Sequence, residues 1–255
     1  MKKNTKILIP IPSYGFDPSE TAIPWKLLSQ NDFKVFFATP KGKKANGDSI
    51  MLTGKGLGIW RKLLKAGKDA TLAYKEMYSS ENYCKPLSYK NIDPNEFDAI
   101  FLPGGHDKGV QEYLESPILQ SVIPHFFTSG KFVGAICHGV LLLARSVNPH
   151  TNKSVLYDYK TTSLLKFQEK TAYYLTKFWL GDYYLTYPET TVEDEVISML
   201  KDKNQFLHGN FPIFRDKPHN LKHGFSVKDR NYHSARWPGD IYNLSFSFIQ
   251  SLKSL

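Results

Sequence analysis

The chain has 255 residues, 41% of them apolar and 14% aromatic, which suits a packed globular core and excludes a disordered chain. Lys and Arg number 33 against 24 Asp and Glu, giving +9, but the lysines are scattered and no basic stripe interleaves with aromatics, so no nucleic acid is expected as partner. Two cysteines, Cys84 and Cys137, exclude a disulfide framework and fit a reducing cytoplasm, and no apolar run reaches the ~18 residues that would span a bilayer, so no membrane partner is expected.

The N-terminal segment 1–15 has only a short apolar stretch, broken by Pro10 and Pro12, so the run Lys6–Ile11 is read as a first core strand and not a signal peptide. Glu20–Ser29 reads as a helix, and the β-branched and aromatic stretch Phe33–Ala38 as a second strand ending at Thr39-Pro40. A βαβ opening predicts a parallel sheet with a right-handed crossover. Residues 42–96, with helical patches at Trp60–Ala66 and Leu72–Met77, are too long for a plain loop and predict a helical insertion over the sheet's carboxyl edge. Phe97–Leu102 is the next strand and stops at Pro103-Gly104-Gly105. A helical stretch bearing Tyr113, Leu114, Leu119, Val122 and Ile123 follows, and Phe132–Ile136 then makes a buried strand running into Cys137.

After Val147 the pattern is mixed until a helix at Val192–Leu200. Tyr232–Trp237 reads as a last strand, Pro238-Gly239 as a turn and Ile241–Leu252 as a closing helix. This alternation predicts an α/β fold with a doubly wound, mostly parallel sheet flanked by helices, in one domain over 1–255.

The segment Gly134-Ala135-Ile136-Cys137-His138-Gly139 delivers a cysteine from an apolar strand onto a turn of small residues, with the helix Val140–Ala144 beginning at once. That is the layout of a nucleophile elbow, where small neighbours relieve the crowding of a strained turn. A sulfur at a helix N-terminus is expected to ionise below the usual ~8.5. The His138 N–H would point toward an oxyanion formed there. The other reading of Cys137 is an inert buried cysteine.

Gly104, Gly105 and His106 close the preceding strand at the same edge, where a glycine lets a backbone amide reach a substrate oxygen. The plain alternative is a strand-ending turn. Glu20 follows Asp17-Pro18-Ser19 and has two readings of equal weight. It either completes a capping box begun by Asp17, or it faces Cys137 as a buried acid with a raised pKa.

At DPSETAIPW (17–25), FLPGGH (101–106) and AICHG (135–139) the sequence resembles the ThiJ/PfpI superfamily of class I amidotransferase-like, flavodoxin-like α/β proteins. Within it, the resemblance is to the branch of heat-inducible chaperones and glutathione-independent glyoxalases. It implies Cys137 as nucleophile, Glu20 as the characteristic acid, His138 as the adjoining histidine, the amides at Gly105 and His138 as oxyanion donors, and a homodimer. It also implies a third acid orienting the histidine, which is matched to Glu169, with Asp182 and Glu193 as rivals and an exposed helical charge as the bland reading of Glu169. No later His-x-Glu segment follows, so glutamine hydrolysis is disfavoured, and nothing specifies a metal. Arg236 and Trp237 read as a structural ion pair and a core tryptophan before any substrate role.

The implied activity is a cofactor-independent glyoxalase acting on methylglyoxal or another small 2-oxoaldehyde, requiring neither metal nor nucleotide. The alternatives are a cysteine amidase or peptidase, and a stress-linked holdase or cysteine redox sensor.

Overall fold

The computed structural model describes residues 5–255. In chain order the main sheet contains β1 (Lys6–Pro10), β2 (Lys34–Thr39), β3 (Leu87–Ser88), β4 (Ala99–Leu102), β5 (Phe132–Ile136), β6 (Ser226–Asp229) and β7 (Tyr232–Ala235). Their spatial order is β6-β7-β5-β4-β1-β2-β3. Every neighbouring pair is parallel except β6 with β7. The central strands read as unbroken apolar runs because both faces are covered: Ile7, Leu8 and Ile9 of β1 and all of β4 are buried.

Numbering only the larger helices, α1 is Pro18–Gln30, α2 Lys68–Tyr78, α3 Pro117–Thr128, α4 Gly139–Arg145, α5 Lys166–Leu180, α6 Val192–Ser198 and α7 Ile241–Leu252. α1 packs on α2 and α7, while α4 packs on α3 and α6. From β1 the chain crosses to β2 on one side, whereas β4 lies on the other. The sheet order therefore reverses at β1/β4, and the crevice beyond the carboxyl ends of those strands is the place such sheets hold ligands.

Three features depart from the sequence pattern. The mixed region after Val147 contains the fifteen-residue α5. Two edge strands, β3 and β6, went unread, being short and flanking the apolar centre. The stretch Tyr113–Ile123 is split, since Ser116 caps a new helix whose first residue is Pro117.

β7 stops at Ala235 because Arg236 turns back to Asp240. Its Nε and Nη2 donate to the two carboxylate oxygens at 2.8 and 2.9 Å, both side chains are fully buried, and Nη1 donates to the His208 carbonyl. Residues 42–96 hold Ser49–Thr53, Arg61–Leu64, α2, Glu81–Cys84 and β3. Met51 and Leu57 from this region cluster with Tyr184, just beyond the end of α5.

Candidate active site

Cys137 sits at φ +57, a conformation that non-glycine residues seldom adopt and that turns β5 sharply into α4. Its N–H donates to the Ala235 carbonyl of β7 at 3.1 Å, which ties the turn to the sheet. Gly139 follows immediately, and a Cβ there would lie 2.2 Å from the Leu102 carbonyl oxygen. The small residues around the cysteine thus answer to backbone crowding at the ends of β4 and β5.

Glu20 lies in the first turn of α1, brought to the site by the cap that starts the helix. The Asp17 carboxylate accepts the N–H groups of Ser19 and Glu20 at 2.7 and 3.0 Å. The capping box stays half made, because the Asp17 N–H donates to the Gly104 carbonyl and the Glu20 side chain turns inward. Glu20 is fully buried, and its Oε2 accepts the Gly104 N–H at 2.8 Å. Its Oε1 has no hydrogen-bond partner among the described residues, which makes it a place for a proton.

The expected role of Gly104 as an oxyanion donor is corrected by this bond, since its N–H is already taken up by Glu20. The N–H groups of Gly105 and His138 have no backbone acceptor among the described residues. Gly104 is also where the functional groups crowd together, and a Cβ there would lie within 3.0 Å of the His138 nitrogen, Glu20 Oε2 and Cys137 Cβ together.

His138 is buried with Nδ1 3.4 Å from the Cys137 sulfur, and its Nε2 has no partner among the described residues. Glu169 is buried too, so the exposed-charge reading fails, but its Oε2 accepts the Val192 N–H at 3.1 Å and no hydrogen bond joins it to His138. The rivals are engaged elsewhere. Asp182 pairs with Lys108, and Glu193 pairs with His208 and accepts the Lys166 N–H. What faces His138 is the ring of His106, edge-on with centroids 5.3 Å apart.

Burial governs the electrostatics. It pushes the Glu20 carboxyl well above the usual carboxylate range, and the Asp17 charge adds to this against the opposing Gly104 N–H and Cys137 thiol. Burial likewise drives the Cys137 thiol well above its ordinary value, the Glu20 charge second, with the His138 N–H opposing. This direction is opposite to the lowered thiol pKa expected at a helix N-terminus, and it accompanies complete burial beside Glu20 at the start of a helix of only seven residues. His138 is pushed well below its usual range by burial, then by His106 and Arg145, and burial brings His106 down to about 4. Burial thus disfavours the charged forms of Glu20, Cys137 and His138 alike. Of the two raised carboxyls, Asp17 accepts two N–H bonds and is the better supported anion.

A cavity of about 250 Å³ reaches Asp17 and His106 from outside. Leu63 and Leu64 of the 42–96 region roof it, Leu175 of α5 forms a wall, and Trp237 with Arg215 completes it. Arg215 donates to the Leu63 and Leu64 carbonyls at 3.4 Å and lies over the Trp237 ring. His106, Arg215 and Tyr184, whose ring packs edge-on to His106 at 4.9 Å, were given no role by sequence reasoning. Only His106 carried a signal, its place directly after Gly104-Gly105. Arg236 makes the expected buried ion pair, whereas Trp237 is only half-buried, packing against the edge of the core and bordering the cavity.

The ThiJ/PfpI family-like profile matches residues 11–209, well over half of the chain. The chain belongs to the ThiJ/PfpI-like family. Among its relatives, a glutathione-independent glyoxalase of Schizosaccharomyces pombe, hsp3102, is 27% identical over 158 residues, 61% of this chain and 62% of that protein. A Thermococcus kodakarensis deglycase, TK1284, is 37% identical over 57 residues, 22% of this chain and 33% of that protein. The chain spans about half the length of the curated relatives it matches. In three dimensions the ThiJ/PfpI-like fold superposes on glyoxalase III of Candida albicans with a TM-score of 0.70 at 18% identity, covering 97% of each chain.

Proposed function

We propose that this ThiJ/PfpI-like protein is a cofactor-independent glyoxalase that converts a small 2-oxoaldehyde into the 2-hydroxy acid, with Cys137 as nucleophile. The observation that carries the reading is the convergence of the Cys137 turn, His138 Nδ1 at 3.4 Å and a buried Glu20 carboxyl held by Gly104. The names of the glyoxalase and deglycase relatives support it.

As the sulfur adds to the aldehyde carbon, the thiol proton passes to neutral His138 and the carbonyl oxygen is protonated to a hemithioacetal. The amides of Gly105 and His138 face the developing oxyanion. Glu20, its proton given up to that oxygen, removes the C1 hydrogen. Return of this proton to C2 through the enediol leaves a 2-hydroxyacyl thioester on Cys137. Water then cleaves the C–S bond, releasing the acid and restoring the thiol, so the balance is one water added and no net redox change.

Cys137 is 1% exposed, and the cavity lined by Leu63 and Leu64 reaches Asp17 and His106 but does not itself include the sulfur, which suits a substrate of a few heavy atoms and disfavours a peptide. The test is lactate formation from methylglyoxal without glutathione. Wild type is expected to turn over, with Cys137→Ala and Glu20→Gln both inactive; a wild type that forms neither lactate from methylglyoxal nor mandelate from phenylglyoxal sinks the reading.

A further inference from the structure

Around the mouth of the cavity the structure leaves a band of large apolar side chains in solvent. On α5, Phe167, Tyr174, Phe178 and Trp179 are all exposed, Phe178 by 84%. At ~100° per residue the first three fall within about 40° of one another and form a single stripe along the helix. The segment before α2 continues it. Ile59 is 80% exposed, Leu63 is exposed beside it, and the backbone at Gly58 lies against the Trp179 ring, to which an added Cβ would come within 4.0 Å. The Phe211 ring packs against Phe167 at a tilt, with centroids 4.9 Å apart, and exposed Ile213 borders the same cavity as Leu63 and Phe167.

The same face is cationic. Lys55, Arg61, Lys62 and Lys68 are exposed around Ile59 and Leu63, and residues 55–68 contain no acid. Lys170 and Lys177 lie along one side of the α5 stripe, and Glu169, the one acid of α5, is buried. An apolar stripe edged by lysines is the anatomy of an interfacial helix, with rings at headgroup depth and ammonium groups beside lipid phosphates.

We propose that this face docks the protein reversibly on an anionic lipid bilayer. The contact is peripheral, since no helix among the described residues is long and apolar enough to cross a membrane. Charge argues against a second copy of the chain as occupant, because two such faces repel. The rings alone could stack bases, but Ile59, Leu63 and Ile213 among them are aliphatic surface that lipid covers and bases do not, which favours the bilayer over single-stranded nucleic acid. The proposal goes beyond the glyoxalase reading and stands independently of it.

The test is co-sedimentation of the full chain with vesicles of phosphatidylcholine, alone or with phosphatidylserine, at low and moderate salt. Binding is expected to be about tenfold or more stronger on the anionic vesicles and to weaken with salt. The double variant Phe178→Ser/Trp179→Ser should lose it. Lys55→Ser and Lys62→Ser should each weaken it about fivefold, with far-UV circular dichroism unchanged. Equal or no binding to the two vesicle types overturns the proposal. So does preferential capture by a single-stranded oligonucleotide, or self-association in free solution that the Phe178→Ser/Trp179→Ser change abolishes.

Discussion

Replacing Gly104 by alanine tests the geometry of the site more sharply than removing any of its functional side chains. The new Cβ would lie 2.7 Å from the His138 nitrogen, 2.8 Å from Glu20 Oε2 and 2.9 Å from Cys137 Cβ. Two of these neighbours are backbone or Cβ atoms that no rotamer change can move, so the turn itself must shift. Overpacking of this kind destabilises by about 1–3 kcal/mol, and each kcal/mol lowers the midpoint of a chain this size by about 2–4 °C. A displacement approaching 1 Å between acid and sulfur reduces turnover by about a hundredfold. Steady-state kinetics on methylglyoxal and thermal melts are the assays. Gly130→Ala, at a surface turn with φ +65 and nothing within 4 Å of an added Cβ, serves as the control that loses some stability and no activity. A Gly104→Ala protein with kcat/KM within threefold of wild type and an unchanged midpoint would refute the tight packing inferred here.

Glu20→Gln keeps an acceptor for the Gly104 N–H but removes the proton donor, so kcat should fall by about 10²–10⁴ with the fold intact by circular dichroism; a loss under fivefold contradicts the acid role. Burial raises the Asp216 carboxyl from 3.8 to about 7, so its stabilising contribution is fully present below pH 3.8 and lost as pH rises through about 7. That corresponds to about 4 kcal/mol at most. Asp216→Asn should therefore raise the melting midpoint more at pH 8 than at pH 4, and an equal change at both would count against it. Arg236→Ala leaves the Asp240 carboxylate buried without its partner and should destabilise by about 3–5 kcal/mol in denaturant titrations. Because the Cys137 thiol is held above its ordinary value, its alkylation should be slow at neutral pH and accelerate only in alkali, whereas fast labelling of Cys137 at pH 7 would show a resting thiolate.

Legibility in the sequence tracked burial and local constraint. β1, β4 and β5 stood out because strands covered on both faces leave continuous apolar runs, and the elbow stood out because a strained turn admits only small neighbours. The Asp17 cap was readable for the same reason, being an interaction across three residues. α5 was not, since its exposed rings and lysines blur the helical period. The destination of Glu169 was hidden as well: its partner is a backbone N–H at Val192, which carries no residue signature. Cys137 is buried by segments distant in sequence, so the upward pull of desolvation on its thiol could not be read from the local cue of a helix N-terminus.

The central claim is that Cys137 carries a 2-hydroxyacyl thioester during turnover, and hydroxylamine trapping tests it most directly. With the protein in excess over methylglyoxal and hydroxylamine added only once the free aldehyde is consumed, since it would otherwise be lost as the oxime, the wild-type protein should release lactohydroxamate, and Cys137→Ala should yield neither hydroxamate nor lactate. Lactate formation at the wild-type rate by Cys137→Ala would contradict the account.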